Sequence, residues 1–164
     1  MNRILAMAVT AGLLVPALAG AQQKAAIDLR TLSQVEVTTT NAKGEKEMKR
    51  VEAARANVTP GDMVIFTTSY SSNVKKPAEN VAITNPVPEH MVYVDRSAEG
   101  AGTRIEFSID GGKTYSAPEK LIVTVGPGKT RPALAADYTH IKWTLTKPLQ
   151  PGGKGSVSFR AKVK

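Results

Sequence analysis

A period of two governs this chain. In VTPGDMVIFTTSY, residues 58–70, Val64, Phe66 and Tyr70 alternate with Ile65, Thr67 and Ser69. Successive side chains of a strand point to opposite faces, so this spacing buries one side and leaves a mostly polar side to water. Pro60-Gly61-Asp62 opens the stretch as a turn. The device recurs downstream. Ile105, Phe107 and Ile109 alternate with Arg104, Glu106 and Ser108, and Leu121, Val123 and Val125 with Lys120, Ile122 and Thr124. Near the C-terminus Ile141, Trp143 and Leu145 alternate with His140, Lys142 and Thr144, and Val157, Phe159, Ala161 and Val163 with Ser156, Ser158, Arg160 and Lys162. Turn residues close each run, and helical periods are few.

Seven to nine short strands at regular spacing predict an all-β fold. An immunoglobulin-like antiparallel β-sandwich is the economical arrangement, with a closed barrel as the alternative. The pair Val81 and Ile83 ends at Asn85-Pro86-Val87-Pro88. Proline lacks an N–H, so this segment is read as an edge or a crossing between sheets. Residues 45–56, EKEMKRVEAARA, fit a helix and a solvent-facing edge strand about equally. Residues 22–33 stay open between a turn of helix and an extended arm, so the expected domain covers residues 34–164.

The chain starts with Met1-Asn2-Arg3 and an apolar run that ends in small residues at Ala19 and Ala21. A basic start, an apolar centre and an A-x-A site make residues 1–21 a cleavable signal peptide with a helical core. Gly12, Pro16 and the polar Gln22-Gln23-Lys24 make the run short for a membrane span. The expected product is exported, to the periplasm or beyond, with no span left after cleavage. There are no cysteines. Neither disulfides nor a lipid-modified cysteine can hold this chain, so its core must.

Residues 58–62, Val64 to Tyr70, Pro77-Ala78-Glu79-Asn80-Val81 and Thr84-Asn85-Pro86-Val87-Pro88 resemble the conserved repeat domain of bacterial and archaeal surface proteins, "domain of unknown function 11". Its usual line is V-x-P-G-D, an alternating strand, then P-A-x-N-V-x-[IV]-x-D-P-[VL]-P. The likeness covers about Val58 to Val94, and Leu149 to Phe159 continues it. Asn85 stands where the family has Asp, and Glu89 or His90 where it has Gly. The resemblance implies an immunoglobulin-like extracellular module of adhesins and cell-wall proteins, without catalytic residues, here in one copy rather than an array.

Candidate sites are few. Ser108-Ile109-Asp110-Gly111-Gly112-Lys113-Thr114-Tyr115 fits the Asp-box pattern S-x-D-x-G-x-T-[aromatic], and Asp110, Gly111, Gly112 and Thr114 are read as a structural turn. Asp62, Asp95 and Asp137 are read as turn residues too. His90 and His140 lack ligand spacing, so neither a metal nor any other cofactor is expected. No nucleophile, base and acid stand in a catalytic order, so no enzyme is predicted. Trp143 is assigned to the core, with sugar stacking as the alternative.

The chain carries 22 Lys and Arg against 14 Asp and Glu, a net charge of +8. From Lys113 onward, ten basic residues face only Glu119 and Asp137. If the last two strands pair, His140, Lys142, Arg160 and Lys162 share a face that Lys164 extends. That face is a candidate for an anionic polysaccharide, lipopolysaccharide or extracellular DNA. The plainer reading is edge protection and solubility. The leading function is thus a structural or adhesive envelope module. A periplasmic anion binder is the alternative, and self-assembly by strand exchange, with residues 22–33 as the donor, is a further possibility.

Overall fold

A computed structural model describes residues 26–164. The expected signal peptide, residues 1–21, and residues 22–25 lie outside the described residues. The fold is all-β and antiparallel. Its strands are β1 (Ile27–Thr40), β2 (Lys46–Glu52), β3 (Met63–Ser72), β4 (Ala82–Pro86), β5 (Met91–Tyr93), β6 (Glu99–Gly100), β7 (Thr103–Ser108), β8 (Ile122–Gly126), β9 (Lys129–Pro132), β10 (His140–Leu145) and β11 (Lys154–Val163). The larger sheet runs β2-β1-β3-β11-β5, with β6 also on β11. The smaller runs β4-β10-β7, and β8-β9 is a separate ribbon. The sheets end in open edges, so they do not close into a barrel.

Aromatic side chains join the layers. Trp143 of β10 and Phe159 of β11 face each other with ring centroids 6.2 Å apart. Tyr93 meets Phe107 at 5.2 Å, and Phe107 stacks on Tyr138 at 4.4 Å. Phe66 and Phe159, register partners on β3 and β11, stack at 4.9 Å. Trp143, Ile141 and Ala161 are fully buried and Phe159 nearly so, which puts Trp143 in the core and out of reach of a sugar ring. Asn85 Nδ2 donates to Thr68 Oγ1 at 2.8 Å, and Thr68 Oγ1 lies 2.9 Å from Thr31 Oγ1, a polar chain from β4 through β3 to β1.

Three expectations change. Residues 27–33 are strand, paired with β3 from Ile27↔Ser72 to Val35↔Val64, so the domain includes them and they are used within the chain's own sheet. Leu32 on the outer face interrupts the apolar alternation there, and only the partner strand decides the conformation. Val125 is 56 % exposed, because β8 leaves the sheets to pair with β9 alone. Ile65, on the polar side of β3, is buried; it lies between Gln34 and Arg160 in register, whose long side chains cover it. Residues 46–52 resolve as the charged edge strand β2, and β4 lies at a sheet edge as its prolines require.

The Trp143 indole N–H is buried with no hydrogen-bond partner among the described residues. Trp143→Ala is therefore expected to cost about 3–5 kcal/mol, whereas Trp143→Phe leaves a smaller cavity and removes the orphan donor, and is expected to cost less. Asn85→Asp exchanges a buried donor for an acceptor and costs about 1–3 kcal/mol at neutral pH. That loss narrows as acid protonates the carboxyl and returns a donor to Thr68. Urea unfolding at two pH values measures all three.

Candidate functional site

Two places answer to the sequence expectations, the turn after β7 and the cations of β10 and β11. The turn starts at Ser108, which is fully buried. Ser108 Oγ donates to Asp110 Oδ1 at 2.7 Å and accepts from Gly112 N–H at 2.9 Å. Asp110 also accepts from the N–H groups of Lys113 and Thr114, at 3.1 and 3.0 Å, and from Thr114 Oγ1 at 2.6 Å. Gly111 and Gly112 take φ of 75° and 84°, where a side chain is strained. A Cβ on Gly112 would also sit 3.0 Å from the Tyr115 hydroxyl. Thr139 Oγ1 accepts from Gly111 N–H and donates to the Ser108 carbonyl, which locks the turn to the start of β10.

This is the predicted turn of Asp110, Gly111, Gly112 and Thr114, and its electrostatics follow from its bonds. The hydroxyl and N–H of Thr114, then Ser108 and Lys113, hold the Asp110 carboxyl well below the usual carboxylate range. A carboxylate so engaged is a poor proton acceptor. Asp137 behaves similarly. Arg131 clamps it at 2.6 and 2.9 Å, Leu134 N–H adds a bond at 2.7 Å, and its carboxyl is lowered to about 2. Asp62 accepts from the N–H and hydroxyl of Thr59, at 2.8 and 3.0 Å, and closes the turn before β3.

The basic face does not form as one surface: His140 and Lys164 line a common cleft with Pro88 and Tyr138, but β10 and β11 lie in different sheets. β10 lies between β4 and β7 in the smaller sheet, whereas β11 pairs with β3, β5 and β6 in the larger. Residues 146–153 carry the chain from one layer to the other, with Leu149 buried and bridged to Ala78. Since Trp143 and Phe159 face each other, Lys142 and Arg160 project from opposite outer faces. Their charges are also engaged. Lys142 Nζ lies 3.0 Å from Glu106 Oε2 and 4.5 Å from the centre of the Tyr115 ring. Lys142 is the main cause that lowers the Glu106 carboxyl. Arg160 Nη1 lies 3.5 Å from Glu36 Oε2, and Arg50 binds Oε1 of the same carboxylate at 3.0 Å. Lys164 Nζ donates to the Glu89 carbonyl at 2.9 Å, His140 Nδ1 contacts Thr139 Oγ1 at 3.2 Å, and Lys162 is exposed.

Glu106 was legible as the outward residue of an alternating strand. Glu36 was not, since it lies 124 residues from Arg160 in sequence. A small apolar cleft of about 210 Å³ opens beside β4, lined by Thr31, Phe66, Asn85, Pro86, Pro88 and Phe159. Among the described residues no group of three His, Cys, Asp or Glu could hold a metal ion, and no helix is long and apolar enough to cross a membrane. No protein-family model matches this chain, and neither the curated proteins nor the solved structures contain a match to it.

Two of the lowered carboxyls, Asp110 and Asp137, bear on acid stability. A group whose pKa falls on folding adds stability above its unfolded value of about 3.9 and loses it as pH drops through the folded value. The denaturation midpoint is therefore expected to decline from about pH 4 downward. Asp137→Asn should flatten that decline between about pH 4 and pH 2, and Asp110→Asn should flatten it from about pH 4 downward, each with a lower midpoint at neutral pH. Equal acid slopes in the wild type and both variants would rule this account out.

Proposed function

We propose that this chain is an exported, non-enzymatic structural or adhesive module of a bacterial cell envelope, built as an immunoglobulin-like β-sandwich. One observation carries the reading. The carboxylates of Asp110 and Asp137 are tied up by bonds within turns and that of Glu106 by the Lys142 ion pair, and these contacts shift all three downward. Chemistry at neutral pH favours a carboxyl raised toward the working pH, and these are held as permanent anions in structural roles. The N-terminal signal pattern supports export. The likeness of residues 58–94 to the conserved surface-protein repeat supports an envelope role. The split of the basic residues between two outer faces, with Lys142 and Arg160 paired to acids, favours the structural role over anion binding.

Fractionation of the native host tests this reading. The processed protein is expected outside the cytoplasm, starting at Gln22 by N-terminal sequencing. A deletion strain should lose surface attachment or envelope integrity. Asp110→Ala should restore that property only to the extent that it still folds, as read by Tm. A cytoplasmic protein, or a turnover activity abolished by Asp110→Asn at unchanged Tm, would overturn the proposal.

A further inference from the structure

Exposed strand edges invite pairing with another chain, and most edges here are blocked. β2 carries Lys46, Glu47, Lys49 and Arg50 in a short run. β4 ends in Pro86, which has no N–H to offer. The outward groups of Phe107 on β7 exchange hydrogen bonds with Ser116 at 2.9 and 3.0 Å. β5 and β6 are only three and two residues long. The first half of β1 contains no proline, no lysine and no bulge, and its two charges, Asp28 and Arg30, are of opposite sign.

The phase of the hydrogen bonds shows which groups are open. Asn73 N–H donates to the Ala26 carbonyl, and Ile27 faces Ser72, so even-numbered residues of β1 turn their backbone toward β3. At the far end Asn41 N–H donates to the Glu45 carbonyl, so odd-numbered residues turn toward β2. β2 reaches back only to Gln34. The N–H and C=O groups of Ile27, Leu29 and Thr31 therefore point to a side where no strand of the described residues lies. Leu29 itself is 55 % exposed.

We propose that this edge pairs with the same edge of a second copy, antiparallel about a two-fold axis at Leu29. Leu29 then faces Leu29 of the second copy, and Ile27 faces Thr31, with each facing pair exchanging two main-chain bonds. On the outer face Asp28 stands opposite Arg30 of the second copy, and the symmetry repeats the contact. Asn73 Nδ2, 2.8 Å from Asp28 Oδ2, holds that carboxylate in place. Charge selects this register. Sliding the pairing by two residues sets Arg30 against Arg30, and like charges directly opposite are destabilising. A slip of one residue turns every side chain to the wrong face. The interface is isologous, so it closes as a dimer and does not run on into a fibre. The pairing goes beyond the envelope role and holds whether or not that role does.

Analytical ultracentrifugation of the protein purified as its cells process it tests the pairing. A concentration-dependent dimer is expected. Leu29→Pro deletes an N–H that faces no strand of the described residues, and should raise the dimer Kd at least about tenfold with the β-sheet circular dichroism unchanged. Arg30→Glu should weaken the dimer similarly, and the exchange Asp28→Arg with Arg30→Glu should restore it. A monomer at every concentration overturns the proposal, as does a dimer indifferent to these changes. If Leu29→Pro disturbs folding, the charge exchange decides: failure of the double variant to regain what Arg30→Glu loses sinks the assigned register.

Discussion

The contact between Trp143 and Phe159 across the two layers is what the rest of this molecule depends on. Without cysteines, no disulfide can clamp the sheets together. The layers stay joined because aromatic surface leaves water between them, and because the rings meet in stacked and tilted geometries that add to simple burial. Packing of this density leaves little slack. A Cβ at Gly100 would lie 2.9 Å from both the Trp143 ring and Val157, so the short β6 must carry glycine where it passes the indole. Gly155 has the same role beneath the Tyr70 ring. Two glycines that read as loop or strand noise in the sequence are the places where the core needs backbone to come close.

The same packing explains what became of the charges. Two layers packed on their aromatic faces send Lys142 and Arg160 to opposite outer surfaces. On one surface Glu106 gathers Lys142 and Arg104; on the other Glu36 gathers Arg50 and Arg160. The acids are fewer than the bases, yet they sit beside two of the cations that a shared face would have needed, Lys142 and Arg160. Charge that looks concentrated along the chain is divided in space.

The alternation of Phe66, Tyr70, Phe107, Trp143 and Phe159 was legible because it depends only on the pleat of a strand. The Asp110 turn was legible for a related reason: Ser108, Asp110 and Thr114 bond one another within a few residues, so spacing alone defines the motif. Pairing between strands was not legible. Whether β11 lies beside β10 or opposite it is settled by layer packing, and the eight residues between them, including Leu149 as a buried plug, suit either outcome locally. Residues 27–33 failed for the same reason, since their alternation is broken at Leu32 and β3 supplies the missing constraint.

β1 shows how these levels meet. It is 14 residues long, and its two halves serve different neighbours, β3 over the first part and β2 over the second. A strand shared in this way must leave backbone unpaired where neither neighbour reaches. The fold could have met that need with a proline or a lysine, as it does on β4 and β2. Instead the open stretch carries Asp28 and Arg30 two residues apart, flanking Leu29, an arrangement that is its own complement when turned end for end. Exposed main-chain groups, an exposed leucine and a self-complementary charge pair coincide within five residues. Solubility alone would have been served by any one repeated charge, so the alternation of sign is the feature that turns an open edge into an address for a second copy.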